Sequence, residues 1–315
     1  MSYICGEIAG YLSRTPSATY RRTGAWKDTR YALSVVVPAG TPADAERMLD
    51  YLEGVVRWVS SLRWSASVSS VDLELACTPF PKRWDWQRSS TIGRCEVNSG
   101  ETDFPSASRR QIRIWRREDW SKVALHELLH AFMWDRLVPS SREGESEALV
   151  EAVAVLLHSI LLGGSTLGAA RIMEDERRWM LAQSRALHSR RWTAERTHVR
   201  SYYMLKTALL AVPESYADFA SWITGPSEAD LRRRWPELAD RAMERLFSIL
   251  ARPTSALTVP EPTDDAERRM EMHMVRNQLS LTPRSAHPSP RSAGYDRRHR
   301  VSAGTRNKRS RTAPD

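Results

Sequence analysis

Gln111-Ile112-Arg113-Ile114-Trp115 alternates polar with apolar side chains. A few residues on, Lys122-Val123-Ala124-Leu125-His126-Glu127-Leu128-Leu129-His130-Ala131-Phe132-Met133-Trp134 has no such alternation. The first run predicts a strand with one wet face, the second a largely apolar helix. Glu118 and Asp119 suit the start of that helix, where backbone N–H groups carry partial positive charge. The helix is expected to run to about Trp134. Within it, positions 126 and 130 lie one turn apart, so both imidazoles face one way. Two neutral imidazoles at that spacing can share one Zn²⁺. Glu127, about 100° further round the helix, can reach a water on that ion without ligating it.

A zinc site of this kind needs a third protein ligand. Asp135 falls off the ligand face if the helix continues. The next helix offers Glu143, Glu145, Glu147 and Glu151. Glu147 and Glu151 share a face at i, i+4. The flanking Leu149, Val150, Val153, Val155 and Leu156 predict a buried helix, and a buried Glu151 needs a partner. One division gives Glu147 the metal and Glu151 a hydrogen bond to a ligand imidazole; the reverse assignment stays open. Glu143 and Glu145 read as a solvated, helix-starting acidic pair. His158, about three turns past Glu147, either lines the surround of the site or is a satisfied core histidine.

Outward from this stretch, residues 31–37 read as a buried strand ending at Pro38. Thr41-Pro42 opens an amphipathic helix, and residues 69–77 alternate as a further strand. Thr91 to Val97 predicts another strand, closed by the turn signal Asn98-Ser99-Gly100. Beyond residue 144 the chain reads as helical to about 251. Breaks are expected at Gly163-Gly164, near 188–193, at Pro213 and at Gly225-Pro226, with Ser227 as an N-cap. Strands with one helix, then mostly helices, make an α+β fold: a small N-terminal mixed sheet with helices, then a helical C-terminal half. The folded body spans 1–255, its sheet part about 30–135 and its helical part about 140–251. Residues 256–281 form a linker with a polar helix at 264–280, and 282–315 a disordered basic tail.

The charge supports that division. The chain carries +9 in 315 residues, and residues 282–315 hold nine Arg or Lys against Asp296 and Asp315. The tail thus accounts for seven of the nine charges, and the body is near neutral. Five Ser, four Pro and few large apolar residues leave the tail too little to bury. It could contact nucleic acid or another polyanion, or act as a nuclear address. Three scattered cysteines exclude a disulfide framework. Met1 to Glu7 show no secretory signal, so the protein is expected in the cytoplasm or nucleus. The longest apolar stretch, Leu149 to Leu162, is interrupted by Glu151 and His158, so no membrane partner is expected.

His126-Glu127-Leu128-Leu129-His130, followed by a Glu on the next helix and another acid four residues later, resembles the gluzincin group of zinc metallopeptidases. The wider stretch from Val97-Asn98-Ser99-Gly100 through Trp115, Trp120 and Val123 looks like uncharacterised metallopeptidase-like proteins of large DNA viruses. The resemblance covers about positions 97–154, with an echo at Ser201-Tyr202-Tyr203-Met204-Leu205-Lys206. It is not to the metzincins, which place a glycine and a histidine where this chain has Met133 and Arg136. The resemblance implies a zincin-like fold, a Zn²⁺ cofactor and a peptide or protein substrate. It implies Glu127 as general base, and Tyr202 or Tyr203 (more remotely His198) as donor to the oxyanion. It implies an edge strand, here 111–115, that pairs with extended substrate. A viral origin would place the protein in a host cell or virion. The rival reading is an inactive relative that binds nucleic acid or protein through its tail.

Overall fold

Tyr31, Leu33, Val35 and Val37 are buried, while Arg30 and Pro38 at the ends of their strand are exposed. That period-two burial makes Thr29–Pro38 (β2) a strand with one face on the core. The protein is described as a computed structural model covering residues 6–38, 42–84, 91–92, 98–189, 194–195, 199–252 and 270–271. Among these, five strands form one mixed sheet: Ser17–Trp26 (β1), β2, Ser70–Thr78 (β3), Gly100–Asp103 (β4) and Arg109–Arg116 (β5). Their order is β1-β2-β3-β5-β4. β1 is antiparallel to β2, β2 parallel to β3, β3 parallel to β5, and β5 antiparallel to β4. Gly6–Arg14 (α1) precedes the sheet.

The parallel pair β2/β3 requires a crossover, and Pro42–Ser60 (α2) supplies it. Its Ala45, Met48, Leu49, Leu52, Val55, Val56 and Val59 are buried. Trp120–Ala131 (α3) follows β5 and packs beside α2 over the same sheet. The helical half comprises Ser146–Gly163 (α4), Thr166–Ser189 (α5), Val199–Ala211 (α6), Pro213–Ile223 (α7) and Glu228–Leu250 (α8). The interruptions fall at the expected glycines and prolines, and Ser227 accepts from the Asp230 N–H as the N-cap of α8. At Gly163 a Cβ would lie 2.2 Å from the Ala169 backbone nitrogen, so only glycine lets α5 start there.

The α+β class and the sheet-then-helices order hold. The run Ser140–Gly163 is apolar and long enough to cross a membrane by composition; here most of its Ser146–Gly163 part is buried, packed against α3, α5 and α6.

Several expectations change. The sheet begins earlier, because β1 pairs along all of β2 although its own burial alternates only weakly. Thr91–Ile92 is a two-residue strand paired with Ala194–Glu195; the rest of the strand expected to Val97 lies outside the described residues. The expected turn at Asn98-Ser99-Gly100 leads straight into β4. Strand 111–115 is therefore not an edge: β5 lies between β3 and β4, and β4 is the edge. The helix expected at 264–280 fails at its described residues, since Met270–Glu271 pairs as a strand with Arg83–Trp84. The tail at 282–315 and the remainder of the linker lie outside the described residues.

Candidate metal centre

His126 and His130 project from one face of α3, ring centroids 4.6 Å apart, their Nε2 atoms 3.0 Å apart. α4 packs across α3 and brings Glu147 Oε2 to 3.3 Å from His126 Nε2 and 3.5 Å from His130 Nε2. In a tetrahedral zinc site, metal–ligand bonds of about 2.0–2.1 Å set ligand atoms about 3.3 Å apart. The three spacings bracket that edge length, so this His/His/Glu cluster could hold a metal ion.

The backs of the imidazoles fix which nitrogen faces inward. His126 Nδ1 lies 2.9 Å from Glu151 Oε2. His130 Nδ1 lies 2.9 Å from Asp135 Oδ1 and 3.0 Å from Oδ2. Ionised carboxylates only accept, so each Nδ1 is the donor, and each ring, when neutral, turns an Nε2 lone pair inward. Two lone pairs and a carboxylate oxygen then converge, an arrangement that calls for positive charge at its centre. The acidities respond accordingly. Burial opposes the imidazolium of His130, but Glu147 and Asp135 outweigh it and raise its pKa well above the usual value. Burial likewise opposes His126, and Glu147 and Glu151 raise it. Glu147 is held well below the carboxylate range by both histidines, against the effect of burial. Its side chain is 47% exposed, so the centre opens to solvent on that side.

Glu151 is fully buried. Burial alone would raise its pKa; Lys122 and His126 instead take it down to about 2. Glu151 therefore backs an imidazole and Glu147 faces the centre, one of the two assignments left open by sequence. Glu127 lies on the flank of α3 towards the sheet edge. Thr102 Oγ1 sits 2.7 Å from its Oε2 and 3.0 Å from its carbonyl oxygen. The Gly100 backbone passes so close that a Cβ there would lie 2.8 Å from Glu127 Oε1. The β4 edge thus holds this carboxylate.

Tyr202 and Tyr203 lie on α6, which packs against α4. Both are buried, with pKa values raised well above the usual. For Tyr202, after burial, the causes include Tyr203, Glu151 and Glu147, which sets it within electrostatic reach of the cluster. Tyr203 answers instead to Glu151 and Asp119, and its ring carries the Lys206 ammonium 4.7 Å from the centroid. His198 lies outside the described residues. His158 is not behind either imidazole of the cluster: its Nε2 is 2.9 Å from Ser121 Oγ in the core, and burial brings its pKa down to about 4. Glu143 is exposed. Glu145 accepts from Trp235 Nε1 at 2.7 Å, anchoring α8.

Asp135 is the residue that sequence reasoning set aside. The helix ends at Ala131, three residues short of the expected Trp134, and Met133 takes a left-handed backbone with φ 63°. The reversal carries Asp135 back onto His130. Nothing in Phe132-Met133-Trp134 marks the stop, since left-handed turns are usually marked by Gly or Asn. Lys122 was also passed over. Its signal was present: a lysine four residues before His126 on an apolar helix. Comparison with protein-family models and with curated proteins gave no match to this chain.

Proposed function

We propose that the protein is a zinc-dependent hydrolase, most naturally a peptidase, on a zincin-like body. The observation that supports it most is the convergence of His126 Nε2, His130 Nε2 and Glu147 Oε2 at 3.0–3.5 Å, both imidazoles backed by carboxylates. Two imidazoles and one carboxylate with an open side match the donor set of a catalytic rather than a structural zinc. Bound there, zinc would supply Lewis acidity to a water and to a substrate carbonyl.

The remaining roles belong to the chain. Glu127 takes the proton of the attacking water and delivers it to the leaving amine. Thr102 holds one of its oxygens, leaving the other for that proton. Tyr202, nearer Glu147 in its electrostatics than Tyr203, donates to the oxyanion. β4 receives the substrate as an added strand. The Ser99 carbonyl accepts from the Trp115 N–H, so by antiparallel alternation Gly100 and Thr102 turn their own N–H and C=O away from β5. Those are the two residues that touch Glu127, so a peptide on this edge runs past the base.

The purified protein is expected to contain about one zinc per chain. Glu127→Gln should retain the metal and lose cleavage of a peptide library, while His130→Ala loses both. A folded wild-type protein that takes up no zinc overturns the reading.

A further inference from the structure

We propose that Lys122 is a positioning residue for the metal centre, acting through Glu151 on His126; this rests on the metal reading above. Its ammonium lies 2.9 Å from Glu151 Oε1 and 2.7 Å from Oε2, so both oxygens are held by one cation. Oε2 is also the atom that faces His126 Nδ1 at 2.9 Å. A carboxylate with one partner can swing about its last torsion. One gripped at both oxygens presents a fixed lone pair to the imidazole.

The grip also sets the two helices against each other. Lys122 and His126 are one turn apart on α3, and Glu147 and Glu151 one turn apart on α4. The triangle Lys122–Glu151–His126 therefore pins α4 to α3 one turn from Glu147, in the register that brings this ligand to both histidines. Lys122 and Glu151 are both buried, so solvent does not loosen the pair. A buried ion pair is a poor means of adding stability, since apolar residues of similar volume serve as well or better. Orientation of His126 gives this pair a different task.

The test is zinc affinity of the folded full-length chain by chelator competition, in wild type, Lys122→Met, Glu151→Gln and the double variant. Lys122→Met and Glu151→Gln are each expected to weaken zinc binding about 10- to 100-fold, the usual loss when the partner behind a ligand imidazole is disturbed. Because Lys122 acts through Glu151, the double variant should bind within about threefold of Glu151→Gln. A purely structural lysine would instead lower the melting temperature and leave the affinity of the folded fraction unchanged. Unchanged affinity in Lys122→Met overturns the inference while the zinc reading stands. If Lys122→Met does not fold, the other two variants decide: similar affinities support the proposal, and a further tenfold loss in the double variant overturns it. A wild-type chain without zinc affinity overturns the metal reading and this inference with it.

Discussion

His126 and His130 sit one turn apart and present the same nitrogen, yet they are mounted differently. Behind His126 stands Glu151, wholly buried and gripped by Lys122. Behind His130 stands Asp135, 31% exposed, on a short 3-10 turn that begins at the left-handed Met133. One mount is set in the core between two helices; the other is a loop carboxylate that water can reach. Water competes for the exposed acid, and relaxation is open to it. Neither is open to the buried one. The same hydrogen bond to the same atom type should therefore carry very different energetic weight in the two places.

The largest effect should come from the buried mount. Glu151→Ala leaves the Lys122 ammonium uncompensated in the core and is expected to cost about 3–5 kcal/mol in chemical denaturation of the zinc-free protein. Asp135→Ala removes a solvent-screened partner and should cost less than about 1 kcal/mol. Both should weaken zinc binding, since each frees an imidazole. Equal destabilisation by the two changes would break the comparison.

His158 sharpens it from a third side. It lies in the same helical core, but its partner is the Ser121 hydroxyl rather than a carboxylate. Its pKa therefore goes down to about 4, through burial first and Lys122 second, where those of the two site histidines rise. A folded pKa below the unfolded value near 6.5 means that the unfolded chain binds the proton more tightly. The His158 contribution is then full above pH about 6.5 and is lost as the pH falls towards 4. The loss is about 3 kcal/mol in all, at about 1.4 kcal/mol per pH unit. Subtracting the denaturation free energies of His158→Gln from those of wild type across that window isolates this slope. A flat difference would show that His158 is not held neutral.

Gly100→Ala tests the neighbouring mount, that of Glu127. The added methyl would meet Glu127 Oε1 at 2.8 Å and a Val123 methyl at 2.9 Å. Overpacking of this kind costs about 1–3 kcal/mol. On the proposed mechanism, displacing Glu127 while His126, His130 and Glu147 stay in place should lower peptide cleavage about 100-fold with zinc content unchanged. Cleavage at the wild-type rate would remove Glu127 from its proposed role.

How much of this was legible depended on the range of the interaction. The face shared by His126 and His130, and that shared by Glu147 and Glu151, follow from helical period alone. The strands 31–37 and 69–77 follow from an apolar run and a two-residue alternation, and the breaks at Gly163, Pro213 and Gly225 from glycine and proline. The choice between Glu147 and Glu151 did not, because it depends on how α4 crosses α3. β4 was hidden because four residues with uniform half-burial carry no alternation. The strand 111–115, expected at the edge, consequently lies one strand inside it. Lys122 was readable only as an oddity until Glu151 appeared beside it, since ion pairs 29 residues apart in sequence leave no local mark. Asp135 was lost to a helix stop without the usual punctuation.

That stop supplies the smallest and most discriminating prediction. Met133 has φ 63° and ψ 36°, a conformation costing an L-residue with a side chain about 1–2 kcal/mol. Met133→Gly removes that cost but gives up a half-buried side chain and frees the unfolded backbone by about 0.5–1 kcal/mol. The opposing contributions leave its stability within about 1 kcal/mol of wild type. Met133→Val gives up side chain too, and adds a β-branch in a backbone region where such residues are true outliers, so it should fall at least about 1 kcal/mol below the glycine variant. The sign of that gap, read from paired denaturation curves, reports whether the left-handed turn persists in solution. If it does, zinc affinity in Met133→Val should fall along with stability, because the same backbone delivers Asp135 to His130. If valine is tolerated as well as glycine, the chain at 133 is not left-handed, and the exposed mount of His130 must be built in some other way.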